Sequence, residues 1–337
     1  MLNFDEDRFL AILNGALEVS AGLHSVVGRL IDEGASNLFF LGAGGAGVLM
    51  QPAAQLLQRR TSFAVYLENA AETTAIGNSN LGPRSIVVIP SLSGTTKEAI
   101  AMADFARDRG AFVITLTGQA DSPVATRADA NFTVRAADDT SSESFYLQSL
   151  VIALALLDKL GAYPDYDRTI AELKTLPRLL LEVKRACEQT AATVAHAIAG
   201  DDYHILSGAG STWTEAWYYA TCILEEMQWI RTRPIHASDF FHGTLELLTA
   251  EVSLILFKGE DATRPLVQRI EDWAPSITDR ITIIDAAQFE LPGISPDVRA
   301  LISHVLIATV LERVSAHLEV LRDHPLTTRR YYRRAEY

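Results

Sequence analysis

The sequence predicts an α/β protein made of two tandem, duplicated halves, each a parallel sheet flanked by helices. The first observation is a repeated strand-turn. Asn37-Leu-Phe-Phe-Leu-Gly-Ala-Gly-Gly-Ala-Gly47 and Tyr203-His-Ile-Leu-Ser-Gly-Ala-Gly-Ser-Thr212 are each an apolar strand running into a Gly-Ala-Gly turn and then a helix, and Gly42 maps onto Gly208 at an offset of 166. The second is that the offset persists: Val87-Val-Ile89 matches Leu254-Ile-Leu256 at 167, and Val113-Ile-Thr-Leu116 matches Ile281-Thr-Ile-Ile284 at 168. The third is the alternation of strands with helical segments, which in a parallel sheet places helices on both faces and ligands at the carboxyl ends of the strands.

Taken in order, Glu6 to Asp32 reads as an opening helical region, followed by the strand from Asn37 and its glycine turn. The apolar run Ser85-Ile-Val-Val-Ile-Pro90 is a buried strand, and Lys97 to Ala106 a helix. A long helical region from Ser142 to about Ala199 joins the halves, with breaks near Gly161-Ala-Tyr-Pro164 and Leu176-Pro177. The domain boundary is placed inside this link, giving halves of 1–165 and 166–337. In the second half the strand from Tyr203, a helix-like run from Thr212 to Trp229 and the later strands repeat the scheme, and Asp297 to Leu321 closes it.

Composition narrows the class. A chain of 337 residues with a net charge of −13 has no basic footprint for nucleic acid. Its one dense basic cluster is Arg329-Arg330 with Arg333-Arg334 at the C-terminus. Cys187 and Cys222 sit in apolar helix-like segments without metal-ligand spacing, so neither a disulfide nor a metal is expected. The acidic start Met1-Leu-Asn-Phe-Asp-Glu-Asp-Arg8 lacks a basic leader, and the most apolar helix, Phe145 to Leu160, is interrupted by Gln148, Ser149, Asp158 and Lys159. A cytoplasmic protein without a membrane span is expected.

The strongest chemical signal is Ser91-Leu-Ser-Gly-Thr-Thr96, which ends a strand and opens a helix. The first N–H groups of a helix lack internal partners and carry the positive end of its dipole, so an anion placed there gains several donors. Ser and Thr are ordinary caps, but four hydroxyls in six residues exceed what capping needs. In the second half the position of Ser91 is Lys258, so only the first half keeps the cluster. Gly42 to Gly47 has the letters of G-x-G-x-x-G but no acidic ribose partner in the usual place, although Glu68 lies at a tempting distance, so the glycine turn is weak evidence and a dinucleotide is disfavoured.

Strand-turn-helix with S-x-S-G-x-T, duplicated across about residues 20 to 330, resembles the sugar isomerase (SIS) family, and within it the isomerase domain of glucosamine-6-phosphate synthase and the fructosamine-6-phosphate deglycases. The resemblance implies that Ser91, Ser93 and Thr96 hold a sugar phosphate, with backbone help from Gly44 and Gly45. Where the family has a serine after the first glycine turn, this chain has Ala46. Leu224-Glu-Glu-Met-Gln-Trp-Ile230 followed by His236-Ala-Ser-Asp-Phe-Phe-His-Gly243 looks like the family segment from catalytic glutamate to catalytic histidine, which falls on Glu226 and His242, 16 residues apart. Glu225 and His236 are the competing positions. A carboxylate that moves a carbon-bound proton and a histidine that opens the sugar ring suit a ketosamine isomerisation. The aromatic residues Trp213, Trp217, Tyr218 and Tyr219 are read as core or interface.

The synthases carry a glutaminase domain and a tail lysine; this chain is expected to have neither, its tail being His324-Pro-Leu-Thr-Thr-Arg-Arg-Tyr-Tyr-Arg-Arg-Ala-Glu-Tyr337. An arginine cannot form a Schiff base. The resemblance therefore implies a deglycase that hydrolyses a phosphorylated sugar-amine conjugate to glucose 6-phosphate and amine, without cofactor, as a homodimer with shared active sites. The competing readings are a non-catalytic sugar-phosphate sensor and a sugar-phosphate isomerase that releases no amine. Arg231, Arg233 and the C-terminal arginines are candidates for an acidic amine moiety.

Overall fold

Long apolar runs without alternation belong in sheets covered on both faces, and the computed structural model, which describes residues 1–136, 141–332 and 334–335, places them there. The chain divides into two compact units, Asp7–Pro177 and Arg178–Tyr337 with Met1–Glu6 joined to the second. The division falls at Pro177, twelve residues beyond the boundary of 165 read from the sequence, where the 161–164 break separates two helices of the first unit.

The first unit runs α1 (Glu6–Glu18), α2 (Ser20–Asp32), β1 (Asn37–Gly42), α3 (Gly44–Val48), α4 (Gln51–Arg60), β2 (Ala64–Asn69), α5 (Ala70–Ile76), β3 (Ser85–Ser91), α6 (Lys97–Asp108), β4 (Phe112–Thr117), β5 (Ala130–Thr133), α7 (Ser141–Lys159) and α8 (Tyr166–Leu173). Its five strands are all parallel in the order β2-β1-β3-β4-β5. Every residue of β1 and β3 is buried. Helix α6 buries Ala99, Met102, Ala103 and Ala106, the spacing of a single helical face, against Val87, Ile89 and Val113. On the other side α7, apolar over most of its circumference, packs on α2 and α4.

The second unit holds α9 (Leu176–Ile198, which begins at the division), β6 (Tyr203–Gly208), α10 (Ser211–Tyr218), β7 (Arg231–His236), β8 (Ser253–Lys258), α11 (Arg264–Trp273), β9 (Ile281–Asp285) and α12 (Pro296–Leu321). Its parallel sheet has the order β7-β6-β8-β9, the first four positions of the other unit's order. The duplication read from the offsets is thus a duplication of topology. Among the described residues two segments, Glu6–Asp32 and Pro296–Leu321, are long and apolar enough by length and composition to cross a membrane; the second is 83% buried as the core helix of its unit and packs on α10.

The N-terminal residues are held to the second unit by charge. Glu188 accepts from the Leu2 N–H at 2.8 Å and from Arg313 Nε at 2.8 Å, and Arg313 Nη2 donates to the Leu2 carbonyl at 2.6 Å. Burial raises the Glu188 pKa, but the Arg313 and Leu2 donors outweigh it and bring the group to about 2.

Candidate active site

In the order β2-β1-β3-β4-β5 the chain leaves β1 toward one edge and β3 toward the other, so a crevice opens where the carboxyl ends of β1 and β3 part. The turn after β1 carries Gly44 and Gly45; the loop after β3 carries Ser91, Ser93 and Thr96. The β1 turn is closed so tightly that a Cβ on Gly42 would lie 2.3 Å from the Gly47 Cα, which restricts both positions to glycine. Ala46 lies half-buried in α3 between them.

The hydroxyl loop is internally bonded. Ser91, 3% exposed, accepts from the Gly94 N–H at 3.2 Å and lies 3.5 Å from Thr96 Oγ1. Ser93 Oγ accepts from the Thr95 N–H at 3.3 Å and from Thr95 Oγ1 at 3.0 Å. Thr96 is the N-cap of α6 yet its side chain makes no capping bond. The structure thus gathers Ser91, Ser93 and Thr96 at one helix start on the switch-point crevice, a geometry suited to an anion.

In the second unit the residue at the position of Ser91 is committed within the protein. Lys258, buried at the end of β8, pairs with Glu271, donates to Gln268 Oε1 at 2.7 Å and lies 3.9 Å from Asp285. Beyond β6, a Cβ on Gly210 would meet Thr263 Oγ1 at 2.5 Å and Asp261 Oδ2 at 2.6 Å. Where the first unit has the hydroxyl Ser91, the second thus has a paired lysine.

Glu226 follows an irregular turn. Helix α10 gives way to a π-helical segment, Tyr219–Glu225, and the Glu226 N–H donates to Thr221 O at 3.1 Å across five residues. The uninterrupted helix expected from Thr212 to Trp229 therefore widens before it ends, a feature that recurs at functional sites. Trp229 then takes a positive φ of 56°. Glu226, its side chain 35% exposed, lines a cavity of about 770 Å³ together with Glu225, Trp229, Arg231, Arg329 and Arg330. Arg329 Nε donates to Glu226 Oε1 at 2.9 Å. Glu225, on the same cavity, accepts from Thr232 Oγ1 at 2.5 Å.

His242 is exposed in the turn after β7, its N–H bonded to Asp239 O at 2.9 Å, and it is not part of the Glu226 cavity. His236 ends β7 with Nδ1 2.7 Å from Ser238 Oγ. Glu68 is committed elsewhere: its carboxylate accepts from Thr73 Oγ1 at 2.8 Å and Asn78 Nδ2 at 2.6 Å, which leaves it poorly placed for a ribose. Burial pushes the thiol pKa of Cys187 up to about 11 and that of Cys222 up to about 12. Among the described residues no group of three or more His, Cys, Asp or Glu side chains is placed to hold a metal ion.

The SIS domain model matches residues 33–158, from just before β1 to the end of α7. Fructosamine deglycase FrlB of Bacillus subtilis is 30% identical over 326 residues, covering 95% of this chain and 97% of the relative. The chain belongs to the SIS family. Fructoselysine 6-phosphate deglycase of Escherichia coli K12 is 24% identical across 98% of both chains. Among solved structures, one from Bacillus subtilis assigned as a phosphosugar isomerase superposes with a TM-score of 0.87 at 28% identity, over 95% of this chain and 99% of the other. The C-terminal domain of glucosamine-fructose-6-phosphate aminotransferase from Francisella tularensis shares the fold at 13% identity and a TM-score of 0.79, over 95% of each chain.

Proposed function

We propose that this SIS-family chain is a deglycase that hydrolyses a 1-amino-1-deoxyfructose 6-phosphate to glucose 6-phosphate and a free amine. The observation that carries the reading is the likeness to a fructosamine deglycase along nearly the whole of both chains. The hydroxyl loop at the first switch point supports a phosphorylated substrate. Ser91, Ser93 and Thr96, with the N–H groups of Gly44 and Gly45, take the role of phosphate donors.

In the proposed reaction His242 assists ring opening. Glu226 removes a proton from C1 of the open-chain ketosamine, the electron pair forming a C1–C2 enaminol, and a proton is returned to C2 to give the C1 imine. Water adds at C1 and the C1–N bond breaks, releasing the amine and leaving the aldehyde of glucose 6-phosphate. No oxidant or reductant is consumed. The exposed position of His242 outside the Glu226 cavity favours a homodimer in which each histidine serves its partner's glutamate.

The test uses two variants. Glu226→Gln and His242→Ala are each expected to lose turnover. Mixed and allowed to exchange subunits, they recover roughly a quarter of the wild-type rate, because half the dimers are mixed and each of those has one intact site. Retained turnover in either single variant contradicts the roles assigned to these two residues; loss in both without recovery on mixing contradicts the shared site.

A further inference from the structure

Glu226 depends on a part of the chain more than a hundred residues away. The segment after α12 returns across the 226–229 turn and is fastened to it at several points. Gln228 Nε2 donates to the His324 carbonyl at 2.7 Å, and the His324 ring meets Trp229 edge-on at 4.4 Å. Arg322 Nη2 donates to the Gln228 carbonyl at 3.5 Å, and the Arg330 guanidinium lies 4.0 Å over the Trp229 ring. The strained backbone of Trp229, at φ 56°, is thus held by ring contacts from the returning segment.

Within this clasp Arg329 is itself oriented. Its Nη1 donates to the carbonyls of Leu326 at 2.6 Å and Thr328 at 3.0 Å, its side chain is only 14% exposed, and the remaining face of the guanidinium presents Nε to Glu226. Arginine is suited to this because its planar fork can bond its own turn and a carboxylate at once, which an ammonium cannot reproduce.

We propose that Arg329 is a positioning residue for Glu226, and that the C-terminal segment 322–330 is the strap that brings it there. The proposal rests on Glu226 being the proton-transferring base. Such a base must be ionised and must point at C1, and a fixed guanidinium on one carboxylate oxygen serves both needs. The charged and titratable groups around the carboxylate are Asp202, Glu225, Arg231 and Arg330 with the two tyrosines of the same cavity, and the buried Cys222 thiol. Against that background Arg329 supplies a cation bonded to the carboxylate itself.

The experiment reads Glu226 directly. Full-length protein carrying ¹³C at glutamate side-chain carboxyls is titrated by NMR without substrate, the Glu226 signal being identified by its loss in Glu226→Gln. Arg329→Gln is expected to raise the Glu226 midpoint by about one pH unit or more, to move the acid limb of kcat/KM the same way, and to lower kcat about 10- to 100-fold with KM within about threefold. Arg329→Lys is expected to keep the midpoint close to wild type while recovering only part of kcat. An unmoved Glu226 midpoint in Arg329→Gln overturns the proposal. Should Arg329→Gln fail to fold, a wild-type kcat in Arg329→Lys overturns the geometric role. Because the titration needs no substrate, it stands apart from the deglycase reading, which fails separately if the wild type turns over no glycated amine.

Discussion

Replacing Gly94 with alanine probes how firmly the hydroxyl loop is built. Gly94 has φ +63°, and a Cβ there would lie 2.0 Å from Ser122 Oγ and 2.2 Å from Ser122 Cβ. Ser122 is 4% exposed, and the loop is tied on both sides, by the Gly94 N–H to Ser91 Oγ at 3.2 Å and by the Val124 N–H to Gly94 O at 3.0 Å. The left-handed backbone costs an alanine about 1–2 kcal/mol, and forcing a methyl into occupied space about 1–3 kcal/mol more. Their sum lowers the melting temperature of a unit of this size by roughly 5–15 °C. A hydrogen bond to a charged group contributes about 1.5–3 kcal/mol, so displacing one hydroxyl weakens glucose 6-phosphate binding roughly 10- to 100-fold. Scanning calorimetry and titration calorimetry measure the two effects. Adding Ser122→Gly removes the clash and leaves only the backbone term, so about half of the stability loss returns. Wild-type melting and binding in Gly94→Ala, or no recovery in the double variant, would refute the reasoning.

Other consequences concern stability and charge. Burial lowers the pKa of His204 from 6.5 to about 4 and that of His304 to about 3. Their neutral forms favour the fold, so this contribution is complete above pH 6.5 and is lost as the pH falls toward 4 and the unfolded chain takes up protons. For His204 it amounts to about 3 kcal/mol; His204→Leu should flatten urea midpoints between pH 6.5 and 4, and an unchanged slope would count against it. Glu188→Gln takes from the fully buried Arg313 its hydrogen-bonded carboxylate, leaving Glu312 at 3.7 Å, and should cost up to about 3–5 kcal/mol in urea unfolding at about pH 7. Because the Glu188 pKa is lowered to about 2 from 4.5, the same stabilisation in wild type drains away as pH drops below 4.5. A variant that melts like wild type would show that the N-terminal clasp is dispensable. Lys258→Met should leave sugar-phosphate binding intact, since Lys258 is already paired with Glu271 and Gln268; weakened binding measured by calorimetry would mean that the second unit, too, takes ligand.

Much of the fold was legible because its central strands are almost wholly buried and end in glycine turns. Asn37–Gly42 and Tyr203–Gly208 are each a largely buried strand that ends in glycine with the chain packed close after it, so the duplication survives in the letters. The outer strands do not announce themselves. In β7, Arg231-Thr-Arg-Pro-Ile-His236 carries two arginines and a proline, tolerated because it pairs on one side only, and β2 and β5 are half-exposed along most of their length. The hydroxyl loop was legible because its residues lie close together in the chain. The pairing of Arg329 was not: its partner Glu226 lies 103 positions away, and only the return of the chain past Gln228 and Trp229 brings them together. The π-helical turn before Glu226 likewise leaves the apolar spacing of Thr212 to Trp229 looking like ordinary helix.

The central claim is that a sugar-bound amine is released by hydrolysis. Its most direct test is to incubate the wild-type protein with a panel of fructosyl-amino acid 6-phosphates and quantify glucose 6-phosphate and free amine in the same samples. Equal molar release of both, saturating with substrate, is the expected result. Conversion of the sugar phosphate without amine, or saturable binding with no product, would contradict it, the first pointing to a simple isomerase and the second to a sensor.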